Sequence, residues 1–126
     1  MLNRVYLQNA KMANSRVKKY MQEICFICKA TKKQRISFIT SADTSIIKAL
    51  CDVLATLLYG DYSKLNKFIS KKQRKKLCRH KKILVSLTDK KKSIKSKKRI
   101  LNQWGGGVLS IIGGFIDKLI GIWNGI

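Results

Sequence analysis

An all-α fold, a small basic helical bundle with a flexible N-terminal extension and a separate amphipathic C-terminal segment, is what the sequence predicts. Three observations carry it. There is no proline anywhere in the 126 residues. Glycine is concentrated between Gly105 and Gly125, with Gly60 the single upstream exception. The stretch between them repeats apolar residues at helical rather than strand spacing. Without the usual breakers, long helices are the default.

The clearest helix lies within Ser41 to Gly60. Ile46, Leu50, Val53, Leu54, Leu57 and Leu58 recur at i, i+4, i+7, i+8, i+11 and i+12, the pattern of a core-facing face. Ser41 or Asp43 is placed to cap its start, and Gly60 supplies a residue able to end it in the left-handed region. Further on, Leu65, Phe68 and Ile69 form a short apolar patch, and Ser70 is the cap of a second helix with the stripe Leu77, His80, Leu84 and Leu87. A third basic stretch, Lys90 to Gln103, offers a core only Ile94 and Leu101, with Trp104 just beyond. The first forty residues read less clearly. Val5, Met12, Val17 and Met21 fit a helix, whereas ISFIT at Ile36 to Thr40 fits a short strand, and the region stays open.

Charge divides the chain as sharply as periodicity does. The formal charge is +22, from 28 Lys and Arg against six acids. Residues 1–40 form a basic extension of net +8, residues 41–60 carry −1, residues 61–103 carry +15, and residues 104–126 are neutral. The predicted organisation is therefore 1–40 extension, 41–103 basic helical nucleic-acid-binding region and 104–126 apolar tail. Self-repulsion on this scale calls for a polyanionic partner. Nucleic acid is the first candidate and anionic lipid the second.

The predicted contacts to nucleic acid are Lys71, Lys72, Arg74, Lys75, Lys76, Arg79, Lys81, Lys82, Lys90, Lys91, Lys92, Lys95, Lys97, Lys98 and Arg99. A duplex presents a phosphate charge about every 1.7 Å of axis, so closely spaced cations gain by releasing counterions whatever the base sequence. Lysine dominates, and arginine is the residue that reads guanine bidentately, so charge neutralisation is favoured over sequence choice. No Phe, Tyr or Trp lies between Lys71 and Arg99, which removes base stacking and favours duplex or compacted nucleic acid over single strands, without separating DNA from RNA.

Catalysis is not expected. One histidine, His80, stands among Arg79, Lys81 and Lys82, and the six acids form no cluster that could make a general acid and base pair. Cys25, Cys28, Cys78 and His80 could formally make four zinc ligands, but their spacing fits no common zinc module, so the thiols read as reduced core cysteines and no metal or cofactor is expected.

The tail GGGVLSIIGGFIDKLIGIWNGI is different chemistry. As a helix it sets Ser110, Gly114, Asp117, Gly121 and Asn124 on one side and Val108, Ile112, Phe115, Ile116, Leu119 and Trp123 on the other. Asp117 and Lys118 near its middle would each cost about 2.5–3.5 kcal/mol at a bilayer centre. An interfacial or pore-lining helix is therefore predicted, with a last helix of the bundle as the alternative.

RHKK at Arg79 to Lys82 and KKRILNQWGGG at Lys97 to Gly107, behind the apolar helix ITSADTSIIKALCDVLATLLYG, resemble the small basic core proteins of adenovirus-like elements, the adintoviruses and Maverick or Polinton transposons. The resemblance covers about two-thirds of the chain, from Lys33 to Phe115; the first forty residues have no recognised counterpart. It implies a DNA-condensing virion protein, present in the host nucleus before assembly, with capsid proteins and a maturation protease as partners. It further implies cleavage at the glycine doublets, involving Gly105, Gly106 and Gly107 and again Gly113 and Gly114, which would free the tail. Other classes compatible with the composition are a membrane-lytic or antimicrobial cationic polypeptide and a cellular ribosome- or chromatin-associated protein.

Overall fold

The structure, a computed structural model, describes residues 15–59 and 69–118. Among the described residues all regular structure is helical. After a helical turn at residues 15–19 come α1 (Met21–Lys29), α2 (Lys32–Ser41), α3 (Thr44–Tyr59), α4 (Lys71–Arg79), α5 (Lys81–Thr88), α6 (Ile94–Trp104) and α7 (Gly106–Gly113). The expectations for Val5, Met12, Gly60, Leu65, Phe68, Leu119 and Trp123 fall outside the described residues.

α3 is the centre. Ile47, Ala49, Leu50, Cys51, Val53, Leu54 and Leu57 are buried, with Ile46 and Leu58 packed at the margin, so the predicted stripe is the core face. Helices α1, α5 and α6 pack against it. The carbonyl of Asp43 accepts from the N–H groups of Ile46 and Ile47, which starts α3, while the Ser41 hydroxyl turns back to Ser37 and Phe38 and finishes α2. ISFIT is helical. A capping box, Thr31 with Gln34, nucleates α2 ahead of it, and local capping together with burial of Ile39 outweighs the β-preference of its branched residues.

Ser70 caps as predicted. Its hydroxyl accepts from Gln73 N–H at 3.1 Å and its own N–H donates to Gln73 Oε1 at 3.0 Å. The helix it starts is shorter than predicted, because the backbone turns at His80 and restarts as α5. Leu77, Leu84 and Leu87 are buried and His80 is half-exposed at the break. In α6, Leu101 is buried and Trp104, the third residue offered to a core, is 63% exposed.

The largest departure concerns the three-part organisation. Buried residues form one continuous core from Val17 to Ile116, so neither residue 41 nor residue 104 is a packing boundary. Val108, Leu109, Ile112, Phe115 and Ile116 are all buried, and α7 packs against α1, α4 and α6. The described part of the segment predicted to stand apart for a membrane is thus a helix of the bundle. Its apolar face has protein to cover it, and covering it removes the same water-exposed area that a lipid surface would. Asp117 is bound across to Lys29, with Nζ to oxygen distances of 2.9 and 3.1 Å. No helix among the described residues is long and apolar enough to cross a membrane.

The basic N-terminal region is likewise folded from residue 15 onward. Val17, Ile24, Ile27 and Cys28 enter the core. Arg16 makes a bidentate pair with Asp52 of α3 at 2.8 and 3.0 Å. Burial pushes the Asp52 carboxyl above its ordinary range despite the lowering effect of Arg16.

Candidate nucleic-acid interface

Between Lys71 and Arg99 the chain has fifteen bases and one acid, Asp89, and the structure distributes them unequally. Lys71, Lys72, Lys75, Lys76 and Arg79 are exposed on α4, Lys81 and Lys82 at the start of α5, Lys90, Lys91 and Lys92 in the following turn, and Lys95 and Arg99 on α6. Asp89 Oδ1 accepts from the N–H of Lys91 at 2.9 Å and so shapes that turn. Among the described residues the two ion pairs are Arg16–Asp52 and Lys29–Asp117, both away from this stretch. Twelve exposed cations therefore face solvent without a carboxylate ion-pair partner among the described residues.

Three of the predicted contacts serve the fold. Lys97 is buried, close enough to Cys51 and Asp52 for its charge to act on both. Lys98 Nζ donates to the carbonyl oxygens of Ala42 at 2.6 Å and Thr40 at 3.3 Å, closing the C-terminus of α2. Arg74 is only half-exposed and is engaged within the protein. The signal for the first two was present in the spacing. α6 has too few apolar residues to form a buried face, so the face through Leu101 must be completed by lysine stems at i−4 and i−3.

The glycines assigned to cleavage lie in helical backbone. Gly105 has φ −76° and ψ −12°, Gly114 φ −70° and ψ −20°, and Gly106, Gly107 and Gly113 belong to α7. Cutting at either doublet would require this helix to unwind first, since proteolysis concentrates at mobile loop tips. Their lack of side chains has a packing reason. A Cβ on Gly113 would sit 2.7 Å from the carbonyl oxygen of Cys28, so α1 and α7 touch backbone to backbone.

No group of three His, Cys, Asp or Glu residues able to hold a metal occurs among the described residues. All four cysteines are free. Burial pushes the Cys28 thiol up to about 12 and Cys51 to about 11, and raises Cys25 against the opposing charge of Lys29, whereas Cys78 is exposed. Alkylation at pH 8 should therefore modify Cys78 first and spare Cys28 and Cys51 until the chain unfolds, as peptide mass mapping would show. Because folding holds the two buried thiols protonated, their contribution to stability is intact below about pH 9 and is lost as pH rises toward about 11 and beyond.

Sequence reasoning missed a second cluster, in which the Arg35 guanidinium and the His80 imidazole meet the start of α7. Arg35 stands 45 residues before His80 and 71 before Gly106, so no local motif links them. The chain matches no known family model, no curated protein and no solved structure.

Proposed function

We propose that this protein is a non-enzymatic nucleic-acid-binding protein that neutralises phosphate charge without choosing sequence, of the kind that condenses double-stranded DNA inside a virus-like particle. The observation that carries it is the set of twelve exposed Lys and Arg residues on α4, α5, the turn after α5 and α6, in a stretch whose one acid is spent on a turn. Cations held along short rigid helices meet phosphates without first paying to order a flexible chain, which favours binding of a duplex over solvation alone. The RHKK and KKRILNQWGGG motifs add the virion setting, through their resemblance to basic core proteins of adenovirus-like elements. While the chain is intact, the described part of the apolar tail supports the fold. Any action on a membrane would follow release of α7 from the core, by cleavage or by unfolding.

The test uses the full chain, because the basic stretch depends on α3 for its buried face. Binding to several unrelated duplexes is measured against salt. With about eight to twelve phosphates engaged, log K should fall against log salt with a slope of about −7 to −11, equally for every sequence. A slope shallower than about −3, or a strong preference for one duplex, would refute the proposal.

A further inference from the structure

The head of α7 opens without a side-chain cap. Leu109 N–H makes the first backbone bond into it, to Gly105 O at 2.9 Å, so the N–H groups of Gly106, Gly107 and Val108 open the helix. Such groups carry the positive end of the helix dipole and suit an anion. Gly106 is half-exposed and Gly107 exposed, so the position is open to solvent. Nη2 of Arg35 lies 2.9 Å from where a Cβ on Gly106 would stand, and the His80 imidazole lies 2.9 Å (Cε1) and 3.0 Å (Nε2) from the equivalent point on Gly107. Two consecutive glycines thus let a guanidinium and an imidazole close against a helix N-terminus.

Arg35 supplies the second, independent observation. It is only 6% exposed, its Nε is buried with no hydrogen-bond partner, and no carboxylate pairs with it among the described residues. A buried guanidinium is ordinarily paired, and this one has no carboxylate partner among the described residues. An anion with several acceptor oxygens would relieve all of this together. A guanidinium beside Gly106, an imidazole beside Gly107 and the backbone N–H groups at the head of α7 suit a phosphate, which offers acceptors in several directions.

We propose that the notch formed by Gly106, Gly107, Arg35 and His80 is a phosphate-binding site, separate from the exposed lysine surface. Its occupant is a phosphate group, either of a nucleic-acid backbone or of a free phosphate.

Titration of the full chain with sodium phosphate, against sodium chloride at matched ionic strength, tests this by NMR of the Gly106, Gly107 and Val108 amides and the Arg35 Nε–H. Saturable shifts at these four groups with phosphate alone are expected. Arg35→Gln should raise the dissociation constant about tenfold or more. Gly106→Ala should do the same by displacing Nη2 from the notch, and it keeps the helix, since alanine is the better helix former. Thermal melts of both variants establish that they are folded. Shifts that grow without saturation across the whole basic surface, or wild-type affinity in both folded variants, would overturn the site.

A second arm identifies the source. If backbone phosphate occupies the notch, Arg35→Gln should make the salt slope for duplex DNA shallower by about 0.9. An unchanged slope with saturable inorganic phosphate binding keeps the site and assigns it to free phosphate. Loss of duplex binding by the wild-type chain, with the phosphate shifts intact, would strike the proposed function and leave this site standing.

Discussion

Leu109→Ala is expected to destabilise the fold by about 2–5 kcal/mol, a large part of the roughly 5–15 kcal/mol that holds a domain of this size together. Leu109 is fully buried, on a helix that packs against α1, α4 and α6. Truncation leaves a cavity between elements that cannot all collapse into it. Urea unfolding followed by circular dichroism should show a lower midpoint with an unchanged m-value. If the segment after residue 104 stood apart from the bundle, the change would be less than about 0.5 kcal/mol, the ordinary scale for a surface site. Glycine to alanine substitutions in the same helix sharpen the point. An alanine in a helix interior ordinarily gains about 1 kcal/mol over glycine. At Gly113 the sign should invert to a loss of about 1–3 kcal/mol, because the added Cβ meets the Cys28 carbonyl, a backbone atom that cannot swing aside. At Gly106 the neighbour is the end of the Arg35 side chain, which can move, so stability there should hold or rise.

Replacement of Lys71, Lys72, Lys75 and Lys76 by Gln is expected to make the salt slope for duplex binding shallower by up to about 3.6. Affinity at 0.15 M salt should fall by as much as about three decades, counting one released counterion per phosphate contact. All four side chains are exposed, so stability should change by no more than about 0.5 kcal/mol, and relief of like-charge repulsion acts in the favourable direction. Lys97→Gln with Lys98→Gln should give the reverse pattern. The slope should change little while stability falls, because one lysine is buried beside Cys51 and Asp52 and the other bonds the Thr40 and Ala42 carbonyls. Equal slopes for the quadruple variant and the parent would mean that α4 does not face the duplex.

The sequence by itself determined the all-α class, the buried stripe of α3 and the Ser70 cap, because each rests on residues within a few turns of one another, where 3.6-residue periodicity and capping chemistry act. It also set the placement of cations, since a stretch with fifteen bases and one acid cannot bury them all. Tertiary structure decided the rest. Whether Val108, Ile112, Phe115 and Ile116 meet lipid or protein depends on whether α1, α4 and α6 leave a groove for them, and amphipathicity is the same in either case. The spacing puts Lys97 and Lys98 on the face of Leu101, but their partners there, Cys51 and Asp52 for one and the Thr40 and Ala42 carbonyls for the other, are set by how α6 docks. Gly106, Gly107 and Gly113, which the resemblance implies as cleavage positions, are close-packing positions, visible only with Arg35, His80 and Cys28 in place against them. The meeting of Arg35 with the head of α7 is likewise a product of the fold, because contacts across 71 residues are set by how helices dock and carry no local periodicity to announce them.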